Sequence, residues 1–142
     1  MRRALLITAF CTVPFSTMAQ IVGPCDDAIA DIRNVDWSQP SRTFANGAVR
    51  VVQLDTAEPA AAAVHLAVLL PHPDEPFQAC RVVSAAPGTG FLALSLDRAS
   101  ATYDPARGLT LMVPGLSYDG ESGMPLLLPV TVNQSTGEVS IP

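Results

Sequence analysis

The sequence predicts an all-β fold: an antiparallel β-sandwich or β-roll of about seven to nine short strands, with a short N-terminal helix and one disulfide. Runs of β-prone residues alternate with turn signals along most of the chain, which is typical of antiparallel sandwiches. Helical periodicity is confined to one stretch, and two cysteines remain beyond the N-terminal segment, Cys25 and Cys80. An immunoglobulin-like order of strands is compatible with this count, although the cysteines and the tryptophan are placed differently from that pattern.

Residues 1–19 have the pattern of an export signal. A basic pair follows the initial methionine, a short apolar run comes next, and small residues precede the bond between Ala19 and Gln20. The apolar run is too short for a membrane-spanning helix, which needs about 20 residues. We therefore expect signal cleavage at Ala19, no stable membrane insertion afterwards, a periplasmic or secreted location, and a single exported β domain over residues 20–142.

The charge and composition exclude several classes of function. The chain contains no lysine, and removal of the signal leaves six arginines against thirteen acids, a net charge of −7. Nucleic-acid binding requires a cationic surface, so no nucleic-acid partner is expected. Phosphate loops, Schiff-base enzymes and serine–lysine hydrolases all need a lysine. A composition rich in alanine, proline and arginine without lysine also indicates a bacterial source with GC-rich DNA.

The two cysteines of the mature chain predict a structural disulfide between Cys25 and Cys80. An even pair in an exported chain is typical of a bridge, because disulfides persist in oxidising compartments. Neither a C-x-x-C motif nor a zinc-ligand spacing is present. Closing a loop of this length stabilises a fold by about 4 kcal/mol in the chain-entropy model.

Residues 71–81 bring a histidine, two carboxylates and a thiol within a short distance along the chain. Three prolines in the same stretch favour an extended, solvated loop that follows a strand. The alternative is a metal site formed by His65, His72, Asp74 and Glu75. Along an extended segment the two histidines would be about 23 Å apart, so this site requires the chain to fold back.

A third interpretation is a small hydrolase that uses Ser117, Asp119 and His65. The glycine-rich stretch around Ser117 superficially resembles a nucleophile elbow. Aspartate stands where that motif needs its second glycine, and a strand is predicted to follow instead of a helix. On an extended strand lined by alanines, His65 is expected to be a buried, hydrogen-bonded imidazole.

Local patterns predict most of the individual elements. Acids near the start and Arg33 near the end favour a short amphipathic helix over residues 24–34, and an ordered coil held by the disulfide is the alternative. Asn46-Gly47 predicts a hairpin turn, and Trp37 is expected to be a core or lid residue above it. The remaining predictions are a central strand covered on both faces at residues 64–70, a half-buried strand at 91–97, a hairpin turn at 103–109, a strand at 124–133 and a last hairpin over 130–141.

No catalytic constellation or cofactor motif accounts for the polar residues. We therefore expect a non-catalytic domain, not an enzyme and without a cofactor, that binds a protein or peptide partner of the cell envelope or has a structural role. Edge strands such as the one that contains Pro129 would accept a partner strand by β-augmentation.

Overall fold

The computed structural model describes residues 19–25 and 28–142, so most of the predicted export signal lies outside the described residues. The described part contains ten strands and four short 3-10 turns. No helix in this part is long and apolar enough to cross a membrane. The strands are β1 (Ile21–Pro24), β2 (Arg42–Phe44), β3 (Val49–Asp55), β4 (Val64–Pro71), β5 (Gln78–Ser84), β6 (Ala93–Leu94), β7 (Ser100–Asp104), β8 (Gly108–Tyr118), β9 (Gly123–Asn133) and β10 (Glu138–Ser140).

Two antiparallel five-stranded sheets form a sandwich. Sheet A has the order β1-β5-β4-β3-β2, and sheet B has the order β10-β9-β8-β6, with β7 also paired to β8. β8 and β9 pair along their whole lengths, from Leu109 opposite Val132 to Tyr118 opposite Gly123. β6 and β7 share the other edge of β8, one after the other.

The core lies between the two sheets and is built from alternate residues of the strands. Leu66, Val68 and Leu70 of β4 are fully buried, and Leu111 of β8 and Val130 of β9 are equally inaccessible in the facing sheet. Aliphatic side chains at every second position fill the space between sheets about 10 Å apart. This alternation positions the remaining residues of β4 on the opposite, outer face of sheet A.

The outer face of sheet A is also covered, by the segment between β1 and β2. Leu54, Ala67 and Val82 are buried on this face, and Ile29 and Val35 pack against them. β4 is therefore enclosed on both sides, as its continuous apolar sequence predicts. The outer face of sheet B has no such cover, and Leu127 there is 54% exposed.

The close approach of β4 to the chain after β5 depends on a glycine. Val64 and Phe91 exchange backbone hydrogen bonds, and the N–H of Gly90 donates to the Ala62 carbonyl. A Cβ atom on Gly90 would overlap the carbonyl of Val64. Only glycine allows the two backbones to lie this close together.

The predicted all-β class, the covered central strand and the disulfide are confirmed, with ten strands instead of seven to nine. The hairpins at Asn46-Gly47, at residues 103–109 and at residues 130–141 are present. The glycine-rich stretch around Ser117 lies partly within β8 and β9, whose connecting turn is short. Local turn chemistry therefore predicts the connections well.

Two predicted elements were wrong. In place of the predicted helix, residues 28–34 form two 3-10 turns, Ala28–Ala30 and Ile32–Asn34, because Asp31 between them has an extended backbone and caps the second turn. The strand at residues 91–97 is reduced to the two residues of β6 and a 3-10 turn, Leu96–Arg98. The Ser95 N–H donates to the Pro114 carbonyl, after which the chain turns away from β8.

The centre of β4 can be tested by truncating one side chain. Leu66→Ala removes a fully buried side chain between the sheets and should lower the free energy of unfolding by about 2–5 kcal/mol. Leu127→Ala truncates the same side chain at an exposed position and should change it by less than about 0.5 kcal/mol. Urea denaturation of both variants measures the difference, and similar losses would contradict the assignment of the core.

Candidate functional site: an apolar cleft on the outer face of sheet A

The structure places the two histidines in different environments. His65 lies on β4, 1% exposed on the outer face of sheet A, and its Nδ1 is 2.8 Å from Oγ of Ser84. His72 follows the other end of the same strand, and its Nδ1 accepts a hydrogen bond from the N–H of Asp74 at 3.1 Å. Their positions at opposite ends of β4 keep the two imidazoles apart.

The structure does not bring the residues of the metal hypothesis together. Asp74 and Glu75 are exposed in the loop between β4 and β5, whereas His65 is buried beneath the segment that covers sheet A. Within residues 19–25 and 28–142, no group of three or more histidine, cysteine, aspartate or glutamate side chains could hold a metal ion. In the loop, the ring of His72 instead contacts Phe77, with 5.7 Å between the centroids.

The residues of the hydrolase hypothesis are also separated. Ser117 lies in sheet B, where its hydroxyl donates to the Met124 carbonyl, while His65 lies in sheet A. Asp119 accepts backbone N–H bonds from Glu121 and Ser122 in the β8–β9 turn. These bonds lower the pKa of Asp119, and the bond from the Ser122 N–H has the larger effect. Asp119 therefore stabilises its own turn.

Cys25 and Cys80 form the predicted disulfide, with 5.5 Å between their Cα atoms. Cys80 is on the outer face of β5, directly opposite Leu69 of β4. The bond therefore attaches the start of the covering segment to sheet A.

Beside this disulfide lies a cleft of about 500 Å³. Its floor is the outer face of sheet A, and its wall is the covering segment. The lining residues are Ala30, Ile32, Val35, Asp36, Trp37, Gln39, Ser41, Val52, Leu54, Ala67, Leu69 and Cys80. Most of them are apolar, as in sites that bind apolar groups.

The upper part of the cleft wall is held by short-range hydrogen bonds instead of a helix. The side-chain amide of Asn34 donates to the carbonyls of Ala28 and Ile29 at 2.8 and 3.1 Å, joining the two 3-10 turns. The Asp31 carboxylate accepts from the backbone and side chain of Arg33, each at 2.9 Å. These bonds fix the backbone on either side of Ile32.

The Asp31 carboxylate keeps its negative charge in moderate acid. The Arg33 side-chain hydrogen bond, followed by the Arg33 backbone N–H bond, lowers the pKa of Asp31 to about 2. A carboxyl whose pKa is lowered on folding contributes stability above its usual pKa, and this contribution is lost as the pH falls through the folded value. The pair is exposed to solvent, so its contribution is small.

The lower part of the wall is joined to the edge of sheet A. Val35 forms an isolated antiparallel bridge with Leu54, and the Asp36 N–H donates to the Gln53 carbonyl at 3.0 Å. The Asp36 carboxylate accepts from the Gln53 side-chain amide at 3.2 Å and from the N–H of Ser38 at 3.0 Å. Asp36 therefore links the wall to β3.

Two large apolar side chains project from the rim of the cleft. Trp37 is 77% exposed and Ile32 is 67% exposed. The expectation that Trp37 is a core or lid residue was wrong, because the wall passes along the edge of the sheet and points this side chain to solvent. Aromatic side chains are enriched among the residues that dominate binding energy at protein interfaces.

Sequence reasoning missed the cleft because its floor and wall come from distant parts of the chain. One signal was available: Val52 and Leu69 are apolar at positions that alternate with the core residues of β3 and β4, which indicates a second apolar face on the sheet. A second depression, of about 580 Å³, lies between the edges of β1 and β10, where valine, proline and glycine residues are mixed with the charged Arg81 and Glu138. The cleft is the better candidate because apolar side chains form it.

The lining of the cleft offers mainly apolar contacts. Its polar side chains are Asp36, Gln39 and Ser41, and Asp36 is already hydrogen-bonded to the wall and β3. A nucleophilic centre needs a base within hydrogen-bond reach, and the lining residues include no histidine or free thiol. An apolar group placed in the cleft would be removed from water, which stabilises it by about 25 cal/mol per Å².

The disulfide should be required for the cleft wall. Replacing Cys25 and Cys80 by alanine removes a cross-link with a sequence separation of 55 and should lower the free energy of unfolding by about 4 kcal/mol. Hydrogen exchange should show lost protection at residues 28–41 before any loss in β8 and β9. Retained protection of residues 28–41 in the double variant would contradict this dependence.

No protein-family model, curated protein or solved structure matches the chain. The function is therefore inferred from the cleft itself, which has an apolar floor, a cross-linked wall and the exposed Trp37 at its rim.

Proposed function

We propose that this protein is an exported, non-catalytic binding domain of the bacterial periplasm or exterior, which holds an apolar side chain of a protein partner in the cleft on sheet A. The observation that carries the proposal is the exposure of Trp37 and Ile32 at the rim of a preformed apolar concavity. Exposed apolar residues around a concave surface mark interaction sites on soluble proteins. The disulfide and the export-signal pattern at residues 1–19 support an oxidising location outside the cytoplasm.

The size of the cleft favours a side chain with its flanking backbone over a flat protein surface. Its volume of about 500 Å³ is within the range of about 300–1,000 Å³ that is usual for small-ligand sites. One leucine or phenylalanine side chain would reach the floor formed by Val52, Ala67 and Leu69. Trp37 and Ile32 would then cover the flanking residues at the rim.

The charge of the chain favours a basic partner segment. Thirteen acids against six arginines remain after signal removal, and Asp36 lines the cleft itself. Complementary charge accelerates encounter and favours the correct partner, although it contributes less to final affinity. We therefore infer an extended segment with one apolar anchor flanked by basic residues.

Trp37 offers a direct test, because it is the single tryptophan of the chain. Arginine-flanked decapeptides without tryptophan, carrying a central leucine, phenylalanine or serine, are titrated into residues 20–142. The leucine and phenylalanine peptides should shift the emission of Trp37 to shorter wavelength with a Kd of roughly 10–100 µM, because only a small apolar area is buried. The serine peptide should produce no saturable shift.

A matched pair of variants locates the binding site. Ile32→Asp places a charge on the rim and should weaken binding of the leucine peptide at least about tenfold. Leu127→Asp makes the same change at an exposed apolar position of sheet B and should leave binding unchanged. Equal affinity for the leucine and serine peptides, or equal effects of the two variants, would contradict the proposal.

A further inference from the structure

The open edges of sheet B differ in whether they can accept another strand. The N–H groups of Leu92 and Ser95 donate to the carbonyls of Leu116 and Pro114, so the even-numbered residues of β8 direct their backbone groups toward β6. The backbone N–H and C=O groups of the odd-numbered residues of β8 therefore point toward β9 and form the hydrogen bonds with it, because backbone groups alternate in direction along a strand. This alternation fixes which backbone groups face outward on each edge.

The edge of β9 is blocked by prolines. In the observed register, the backbone N–H and C=O groups of its even-numbered residues point toward β8. The backbone groups of its odd-numbered residues point away from β8, and β10 covers some of them. Pro125 and Pro129 occupy outward positions and have no N–H to donate, which leaves Leu127 as the donor between them. Proline on an edge prevents pairing with foreign strands, so this strand does not fit the β-augmentation expected from the sequence.

The edge of β7 has no such protection. Ser100, Thr102 and Asp104 are paired with Met112, Thr110 and Gly108 of β8, so the backbone groups of Ala101 and Tyr103 face outward. All five residues of β7 are exposed, and the strand contains no proline, lysine or bulge. Within the described part of the chain, the outward N–H and C=O groups of Ala101 and Tyr103 have no hydrogen-bond partner.

We propose that two copies of this chain pair β7 with β7, antiparallel, around a two-fold axis at Thr102. Ala101 of one copy then lies opposite Tyr103 of the other, and each of these pairs exchanges both N–H···O=C hydrogen bonds. The same patch serves both copies, as a two-fold interface requires. The two B sheets become one continuous sheet.

The side chains of β7 are complementary to themselves in this register. Tyr103, which is 68% exposed, lies beside the small Ala101 of the other copy, so each ring covers the space that alanine leaves. Thr102 meets Thr102 across the axis, and the Ser100 hydroxyl faces the Asp104 carboxylate. Aromatic, threonine–threonine and hydroxyl pairs of this kind stabilise antiparallel strands.

The charges near the strand agree with the antiparallel direction. Arg98 precedes β7 and Asp104 ends it, so each Arg98 comes to the end of the strand where the other copy has Asp104. These two attractive pairs offset part of the repulsion between two chains whose mature net charge is negative. The clefts lie on the A sheets and remain accessible in the dimer.

Sedimentation equilibrium of residues 20–142, from about 1 to 500 µM, tests the pairing. The chain should form a concentration-dependent dimer, and Ala101→Pro should raise its Kd at least about tenfold by removing one outward N–H. Leu127→Pro removes the corresponding N–H from the blocked edge of β9 and should leave the Kd unchanged. A wild-type chain that is monomeric throughout, or equal effects of both prolines, overturns the proposal.

A cysteine at the axis tests the register and does not depend on a proline variant folding. Thr102 opposes itself at a position without hydrogen bonds between the strands, where Cα atoms are about 4.5 Å apart, close enough for a disulfide. Thr102→Cys should form a covalent dimer under mild oxidation while the Cys25–Cys80 bond stays intact. Ser122→Cys, at the exposed β8–β9 turn, should not; equal cross-linking of both variants, or no cross-linking of Thr102→Cys, overturns the register.

Discussion

The burial of β4 on both faces is the constraint on which the rest of the structure depends. Leu66, Val68 and Leu70 are covered by sheet B, but sheet B cannot cover the opposite face, where Ala67 and His65 lie. A strand covered on one side only would leave these outward residues in water. The segment between β1 and β2 supplies the second cover, and the Cys25–Cys80 bond holds it there. The cleft lies where this segment leaves Val52, Ala67 and Leu69 of the outer face open.

The sequence was sufficient to predict the hairpin turns and the disulfide. Asn46-Gly47 adopts the positive φ angles that its hairpin turn requires, and Asp104 closes its turn by accepting the N–H groups of Ala106 and Arg107. These connections depend on residues adjacent in the chain, so their residue types are sufficient evidence. The disulfide was predictable for a different reason, since a chain with a single remaining pair leaves one connectivity.

The two wrong elements have different physical causes. Residues 24–34 have helical periodicity, but Asn34 and Asp31 satisfy backbone groups from their side chains and allow two separate turns. In the stretch after Phe91, alternation correctly indicates that Leu94 and Leu96 are buried. Alternation cannot indicate that β7 pairs with the neighbouring part of the same edge of β8. This pairing limits β6 to two residues.

The candidate site was hidden for a related reason. Residues 71–81 concentrate ionisable groups in sequence, yet prolines and solvent keep them apart in space. The cleft instead combines small and aliphatic residues that are inconspicuous in sequence, such as Ala30 and Val52. Trp37 is informative only after its backbone is known to follow the edge of sheet A. Concavity arises from the arrangement of elements, which composition does not specify.

The position of the disulfide has a consequence for the order in which the molecule is assembled. Chains are synthesised from the N-terminus, so Cys25 emerges well before Cys80, at a sequence separation of 55. During that interval the covering segment has no sheet to pack on, because β3, β4 and β5 are still being made. The covering segment therefore precedes in the chain the strands that support it, and the Cys25–Cys80 bond can join it to them only once β5 is present.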